Sequence, residues 1–206
     1  MKQAPGLEPP AAAWETSQQG ERSNRDPFPR ATLADYLRRT LRLGDASGDA
    51  AAEVAWARSI LSPAELELWS RQSAYDRGHA VRVARRVAGR LAGTPWADDT
   101  RWPAAALLHD VGKPAGLSIA ERIAANVARR AVGIERARSW AGKGDGLLRR
   151  LGVYLTHGEA GAAAIRAAGG REEAAAWAEV HQTHAGGSVA GIPGPVVAAL
   201  LASDTG

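Results

Sequence analysis

Apolar residues recur every three or four positions along most of this chain, and no stretch alternates apolar with polar over a strand's length. Leu33, Tyr36, Leu37, Leu41 and Leu43 outline a short helix stopped at Gly44, and a second runs from about Asp49 to Leu61. Ser62-Pro63-Ala64-Glu65 joins an N-cap hydroxyl, a proline at the first helical position and a glutamate at the third, which opens another helix. From about Tyr75 to Ala92, the residues Ala80, Val81, Ala84, Val87, Ala88 and Leu91 form one stripe. Arg82, Arg85, Arg86 and Arg90 face the other way, and His79 falls on the border. Pro103 starts a helix that is apolar all round from Ala104 to Leu108, which predicts a central position. Ser118 and Glu121 form a second capping box, opening a helix to about Ala131, followed by one from Ile134 to Trp140. Gly142 to Gly146 is a loop. Leu147–Thr156 and Glu159–Ala168 are helices with a break near His157, and Arg171–His184 is another. A Gly/Pro loop, Gly186 to Pro195, precedes the last, Val196–Asp204. Residues 1–30 have no period and are rich in Pro, Gly, Gln, Ser and charge, which predicts a disordered tail. The expectation is one all-α helical bundle over residues 31–206.

Composition narrows the chemistry. The 206 residues include no cysteine, so disulfides and thiolate metal sites are excluded. A metal would be held by His, Asp, Glu and water, which suits Fe, Mn, Co or Mg, with Zn possible in a His/carboxylate site. No run approaches the ~18 apolar residues of a membrane span, and the N-terminus lacks a signal peptide's apolar stretch. The expected location is cytoplasmic. Net charge is +4, unevenly spread: residues 121–150 carry eight Lys or Arg against three acids. Such a run is a solvated face, or an electropositive rim that attracts an anionic substrate, nucleic acid or an anionic membrane.

The five histidines are His79, His109, His157, His181 and His184. Any one alone reads as a structural histidine. Together they sit on or at the ends of separate expected helices, with His181 and His184 as a close pair. Asp110 follows His109 directly, and Asp204 closes the series.

In its motifs DRGHAVRVARRVA, AALLHDVGK, LTHGEAGAAAI, WAEVHQTH and ALLASDTG, over about residues 62–206, the chain resembles the HD-domain superfamily of metal-dependent phosphohydrolases. The resemblance implies a helical bundle in which His79, His109, Asp110 and Asp204 hold one divalent ion. Asp110 would bridge to a second ion held by His157 and His181. Lys113, at the HDxGK position, would neutralise a phosphate oxygen; the plainer reading is a cation at a helix C-terminus. Gly112 would permit the turn that aims it. Arg77 is a candidate substrate contact. Where the family often has adjacent histidines, this chain has His181-Gln182. Spacing from Trp177 favours His181 as ligand and leaves His184 as a substrate group or a spare. The sequence ends two residues after Asp204, and a frayed end would hold that ligand poorly. The tryptophans Trp69, Trp96, Trp102, Trp140 and Trp177 are expected to pack between helices.

The function so implied is hydrolysis of a phosphate mono- or diester of the nucleotide class by a metal-activated water, with Asp110 and Lys113 as catalytic residues. The GYP motif of the signalling phosphodiesterase branch is absent, which disfavours cyclic dinucleotides. The alternatives are a degenerate HD domain that binds a nucleotide or a partner without catalysis, and a di-iron oxygenase with the same ligands.

Overall fold

The computed structural model describes residues 50–114, 117–132, 134–142, 146–182 and 187–204. The expected tail, the helix beginning at Leu33, and His184 lie outside the described residues. Among those described are ten helices and no strand. They are α1 (Ala50–Ile60), α2 (Pro63–Ser70), α3 (Ala74–Leu91), α4 (Arg101–Leu108), α5 (Ile119–Val132), α6 (Ile134–Ala141), α7 (Leu147–Leu155), α8 (His157–Ala167), α9 (Glu172–Val180) and α10 (Gly194–Asp204). The fold class is all-α, and none of these helices is long and apolar enough to cross a membrane.

Local hydrogen bonds explain where the helices start. Glu65 N–H donates to Ser62 Oγ at 3.3 Å while Ser62 N–H donates to Glu65 Oε2 at 2.9 Å, which completes the expected capping box of α2. Glu121 and Ser118 make the same reciprocal pair before α5. Helix α4 begins two residues before Pro103, because Asp99 accepts from the Arg101 N–H at 3.0 Å and a proline is tolerated in a first turn. Helix α8 begins at His157 itself. Helix α9 stops at Val180, short of the expected His184, and His181 is its C-cap.

The apolar run of α4 is fully buried and forms the centre of the bundle. Helices α3 and α9 pack against it, α8 packs on α9, and α10 lies along α3. Trp69, Trp102 and Trp177 fill this core, and Trp96 packs against it. A second, smaller core of Leu117, Ala125, Leu151, Tyr154 and Leu155, with Trp140 against it, joins α5, α6 and α7. Described residues between the second and third histidines therefore share a small core of their own.

Two of the arginines opposite the apolar stripe of α3 also make contacts. Arg86 and Arg90 do not simply face solvent. Their guanidiniums donate to Ser203 O at 3.3 Å and Ala202 O at 3.4 Å, at the C-terminal end of α10. Cations there complement the orphaned carbonyls and the helix dipole, so the last turn of α10, whose fraying would hold Asp204 poorly, is tied to α3.

Candidate metal centre

Six side chains expected to work together meet at the centre of the bundle. His79 comes from the middle of α3, His109 and Asp110 from the end of α4, His157 from the start of α8, His181 from the end of α9 and Asp204 from the last residue of α10. Ring centroids lie 5.5 Å apart for His79–His109, 5.0 Å for His109–His181 and 5.3 Å for His157–His181. His109, Asp110 and His157 are almost completely buried.

Three of the imidazoles are aimed by the same device. Nδ1 of His109 lies 2.7 Å from Ala106 O, and Nδ1 of His181 lies 2.7 Å from Ala178 O. Nδ1 of His157 is hydrogen-bonded to Tyr154 O. Each partner is the carbonyl three residues earlier. A carbonyl only accepts, so Nδ1 carries the proton and Nε2 points inward, as in metal-ligating histidines.

Asp110 divides the cluster. Its Oδ2 lies 3.2 Å from His109 Nε2 and 4.0 Å from His79 Nε2, whereas its Oδ1 lies 2.9 Å from His157 Nε2 and 3.5 Å from His181 Nε2. Asp204 Oδ1 completes the first side, 3.4 Å from both His79 and His109. Among the described residues, two trios have ligand atoms mutually within 4.8 Å: His79–His109–Asp204 and His109–Asp110–His181. The second trio cuts across the division made by Asp110. The orientation of that carboxylate is the better guide, since each oxygen presents its lone pairs to one side only.

The electrostatics favour a cation here. Burial alone would lower the pKa of His109, but the carboxylates of Asp110 and Asp204 outweigh it and push it up to about 10. Burial opposes ionisation of Asp110 too, yet His109 and Lys113 hold it well below the usual carboxylate range. Asp204 is likewise lowered against burial, by His109 and His79. Burial pulls His157 down to about 4, only partly offset by Asp110. A neutral His157 with its proton on Nδ1 turns a lone pair toward Asp110 Oδ1 at 2.9 Å. Two acceptors at that distance have no proton to share, and a cation between them resolves the conflict. A donor set of imidazole nitrogens and carboxylates fits Fe, Mn, Co or Zn. In the metal-free protein, the proton on His109 supplies positive charge between Asp110 and Asp204.

Glycine makes this meeting possible. A Cβ on Gly112 would lie 2.0 Å from His157 O and 2.4 Å from Gly161 N, and one on Gly158 would lie 2.5 Å from Ala178 O. Helix α8 thus touches the end of α4 and the end of α9 backbone to backbone. The sequence suggests Gly112 as the turn that aims Lys113; its necessity instead lies in this close approach, and its φ is not positive. Gln182, which stands where the family often has histidine, accepts from the Gly158 N–H at 3.3 Å and so caps α8 beside the cluster.

Lys113 reaches the cluster. Its Nζ is ion-paired with Asp110 Oδ2, lies 3.8 Å from Asp76 Oδ1, and sits 6.0 Å from the centre of the Tyr154 ring. Arg77 does not reach it. Its guanidinium donates to Ser70 O at 3.2 Å and Gln72 O at 2.6 Å, tying the end of α2 to α3. Sequence reasoning missed Asp76 and Arg122, although Asp76 stands three residues before His79 on the same helix face. Of the basic stretch, Arg122, Arg138 and Arg150 are ion-paired to Asp76, Glu159 and Glu121, while Arg136 and Arg149 are exposed.

The family described as HD domain matches residues 77–201, more than half of the chain. No curated protein and no solved structure matches it.

Proposed function

We propose, from the premise that the chain belongs to the HD-domain superfamily of metal-dependent phosphohydrolases, that it hydrolyses a phosphate mono- or diester of the nucleotide class at a dinuclear centre. The observation that carries this reading is Asp110, with one carboxylate oxygen toward His79, His109 and the other toward His157, His181. His79, His109, Asp204 and Asp110 Oδ2 would hold one divalent ion; His157, His181 and Asp110 Oδ1 would hold the other. Bound there, the pair lowers the pKa of a water and polarises a phosphoryl oxygen.

The chain's own residues do the rest. The backbone carbonyls of Ala106, Tyr154 and Ala178 hold the Nδ1–H of three imidazoles, so that their Nε2 atoms converge, and His109 would give up its Nε2 proton to a bound ion. Lys113 offers a compact ammonium to a phosphate oxygen from beside the bridging carboxylate. The close backbone packing around Gly112 and Gly158 sets α8, with His157 at its start, against the ends of α4 and α9 that carry His109, Asp110 and His181.

The test is elemental analysis of protein purified without added metal, then a phosphoester screen with oxygen uptake recorded in parallel. We expect about two ions per chain of the Fe or Mn type, hydrolysis without oxygen consumption, and loss of both metal and hydrolysis in His109→Ala and Asp110→Ala. Protein that stays metal-free after anaerobic soaking with Mn or Fe, or either variant at full activity, refutes the site.

A further inference from the structure

Asp76 belongs to neither trio of ligands, yet its side chain is only 5% exposed. Its carboxylate gathers donors from three parts of the chain. Ser73, the N-cap of α3, donates its hydroxyl. Arg122 of α5 donates twice, to Oδ1 at 2.8 Å and Oδ2 at 2.9 Å. Lys113, from beyond α4, stands 3.8 Å from Oδ1. Lys113 is at the same time paired with Asp110 Oδ2. The charges therefore alternate in one buried chain: Arg122, Asp76, Lys113, Asp110. Burial opposes the ionised form of Asp76, but Arg122, Lys113 and Ser73 outweigh it and lower its pKa, so the carboxylate stays charged.

Two consequences follow from geometry. First, Lys113 and a metal ion both seek Asp110 Oδ2, and two cations cannot share that oxygen at full strength. Asp76 offers Lys113 another anion 3.8 Å away, within reach of a change in its flexible stem. Second, the bidentate pair with Arg122 ties α5 to α3, and α5 shares its own small core with α6 and α7. Arg122 is fastened further by a contact to Leu117 O at 3.4 Å and by the Tyr75 ring, 5.4 Å from its guanidinium.

We infer that Asp76 is a positioning residue with two tasks: it receives the Lys113 ammonium when Asp110 turns to metal, and it anchors the 117–155 segment beside the same cluster through Arg122. The first task rests on the dinuclear reading above; the second does not.

The test uses the full chain, titrated with Co²⁺ alone and followed by visible absorption, together with limited trypsin digestion of the metal-free protein. Asp76→Asn leaves Lys113 with Asp110 as its sole carboxylate, so Co²⁺ binding weakens about tenfold and cleavage within 117–155 accelerates. Asp76→Glu restores most of both. Arg122→Gln accelerates cleavage and leaves Co²⁺ affinity within about twofold. Lys113→Met leaves the cleavage rate unchanged, and in that background Asp76→Asn loses most of its effect on Co²⁺. An Asp76→Asn effect that is equally large without Lys113 overturns the first task. Unchanged cleavage in both Asp76→Asn and Arg122→Gln overturns the second. If Asp76→Asn fails to fold by circular dichroism, the decision passes to Lys113→Met and Arg122→Gln. Loss of Co²⁺ affinity in Lys113→Met, or wild-type cleavage in Arg122→Gln, then refutes the corresponding task. A wild-type chain that binds no Co²⁺ overturns the dinuclear reading and the first task with it, while the digestion still decides the second.

Discussion

Replacing Gly112 with alanine adds one carbon and should dismantle the candidate metal centre. The new Cβ would stand 2.0 Å from His157 O and 2.4 Å from Gly161 N, where ordinary contact begins at 3.4 Å. Both obstacles are backbone atoms of one helix, so no side chain can rotate away. Relief requires α8 to part from the end of α4 by about 1 Å or more. Overpacking of this kind costs roughly 1–3 kcal/mol, and contact with backbone puts it at the upper end. For a chain of this size that is a fall in Tm of about 6–12 °C. The same displacement stretches the 2.9 Å approach of His157 to Asp110, and a misplacement of about 1 Å can lower a rate about a hundredfold. The assay is thermal melting with and without Mn²⁺ or Co²⁺. Metal at a hundredfold excess over its Kd stabilises the wild type by about 2.7 kcal/mol; Gly112→Ala should lose both the baseline stability and most of this increment. Gly89→Ala is the control. A Cβ at Gly89 meets nothing within 4 Å in the last turn of α3, so that variant should gain about 0.5–1 kcal/mol. A Gly112→Ala protein with wild-type Tm and a wild-type metal shift would refute the close-approach argument.

Two further predictions concern stability. Glu65 is fully buried and accepts from Ser62 N–H at 2.9 Å and Arg171 N–H at 3.0 Å, joining the start of α2 to the start of α9. Glu65→Ala strands both donors and should cost about 2–4 kcal/mol in urea denaturation, with Glu65→Gln recovering part of it; a loss below about 0.5 kcal/mol, the scale of an ordinary surface change, would contradict this. The chelator-stripped protein should be most stable near pH 6.5. Below that, unfolded His157 takes a proton that the buried ring refuses, so stability falls from pH 6.5 toward about 4. Above it, folded His109 holds a proton that the unfolded ring has released, so stability falls from pH 6.5 toward about 10. Urea midpoints across this range test the shape, and a monotonic profile would contradict it.

The helical class, the starts of α2 and α5 and the central place of α4 were legible in the sequence because they depend on neighbours within a few residues. A capping box closes inside four positions, and an apolar stripe reports its own period. The residue types of the candidate site were legible too, since His and Asp in separate amphipathic segments carry recognisable motifs. What tertiary structure alone decided involves partners far apart in the chain. Asp76 meets Arg122 across 46 positions and His157 meets Asp110 across 47, so neither pairing leaves a local trace. The same holds for Arg86 on the end of α10, across 117 positions. Gly112 looked like a turn residue because its real constraint, the backbone of α8, lies elsewhere in sequence. Periodicity tells which face of a helix is buried; which charges and which backbones meet there depends on the angles and distances at which the helices cross.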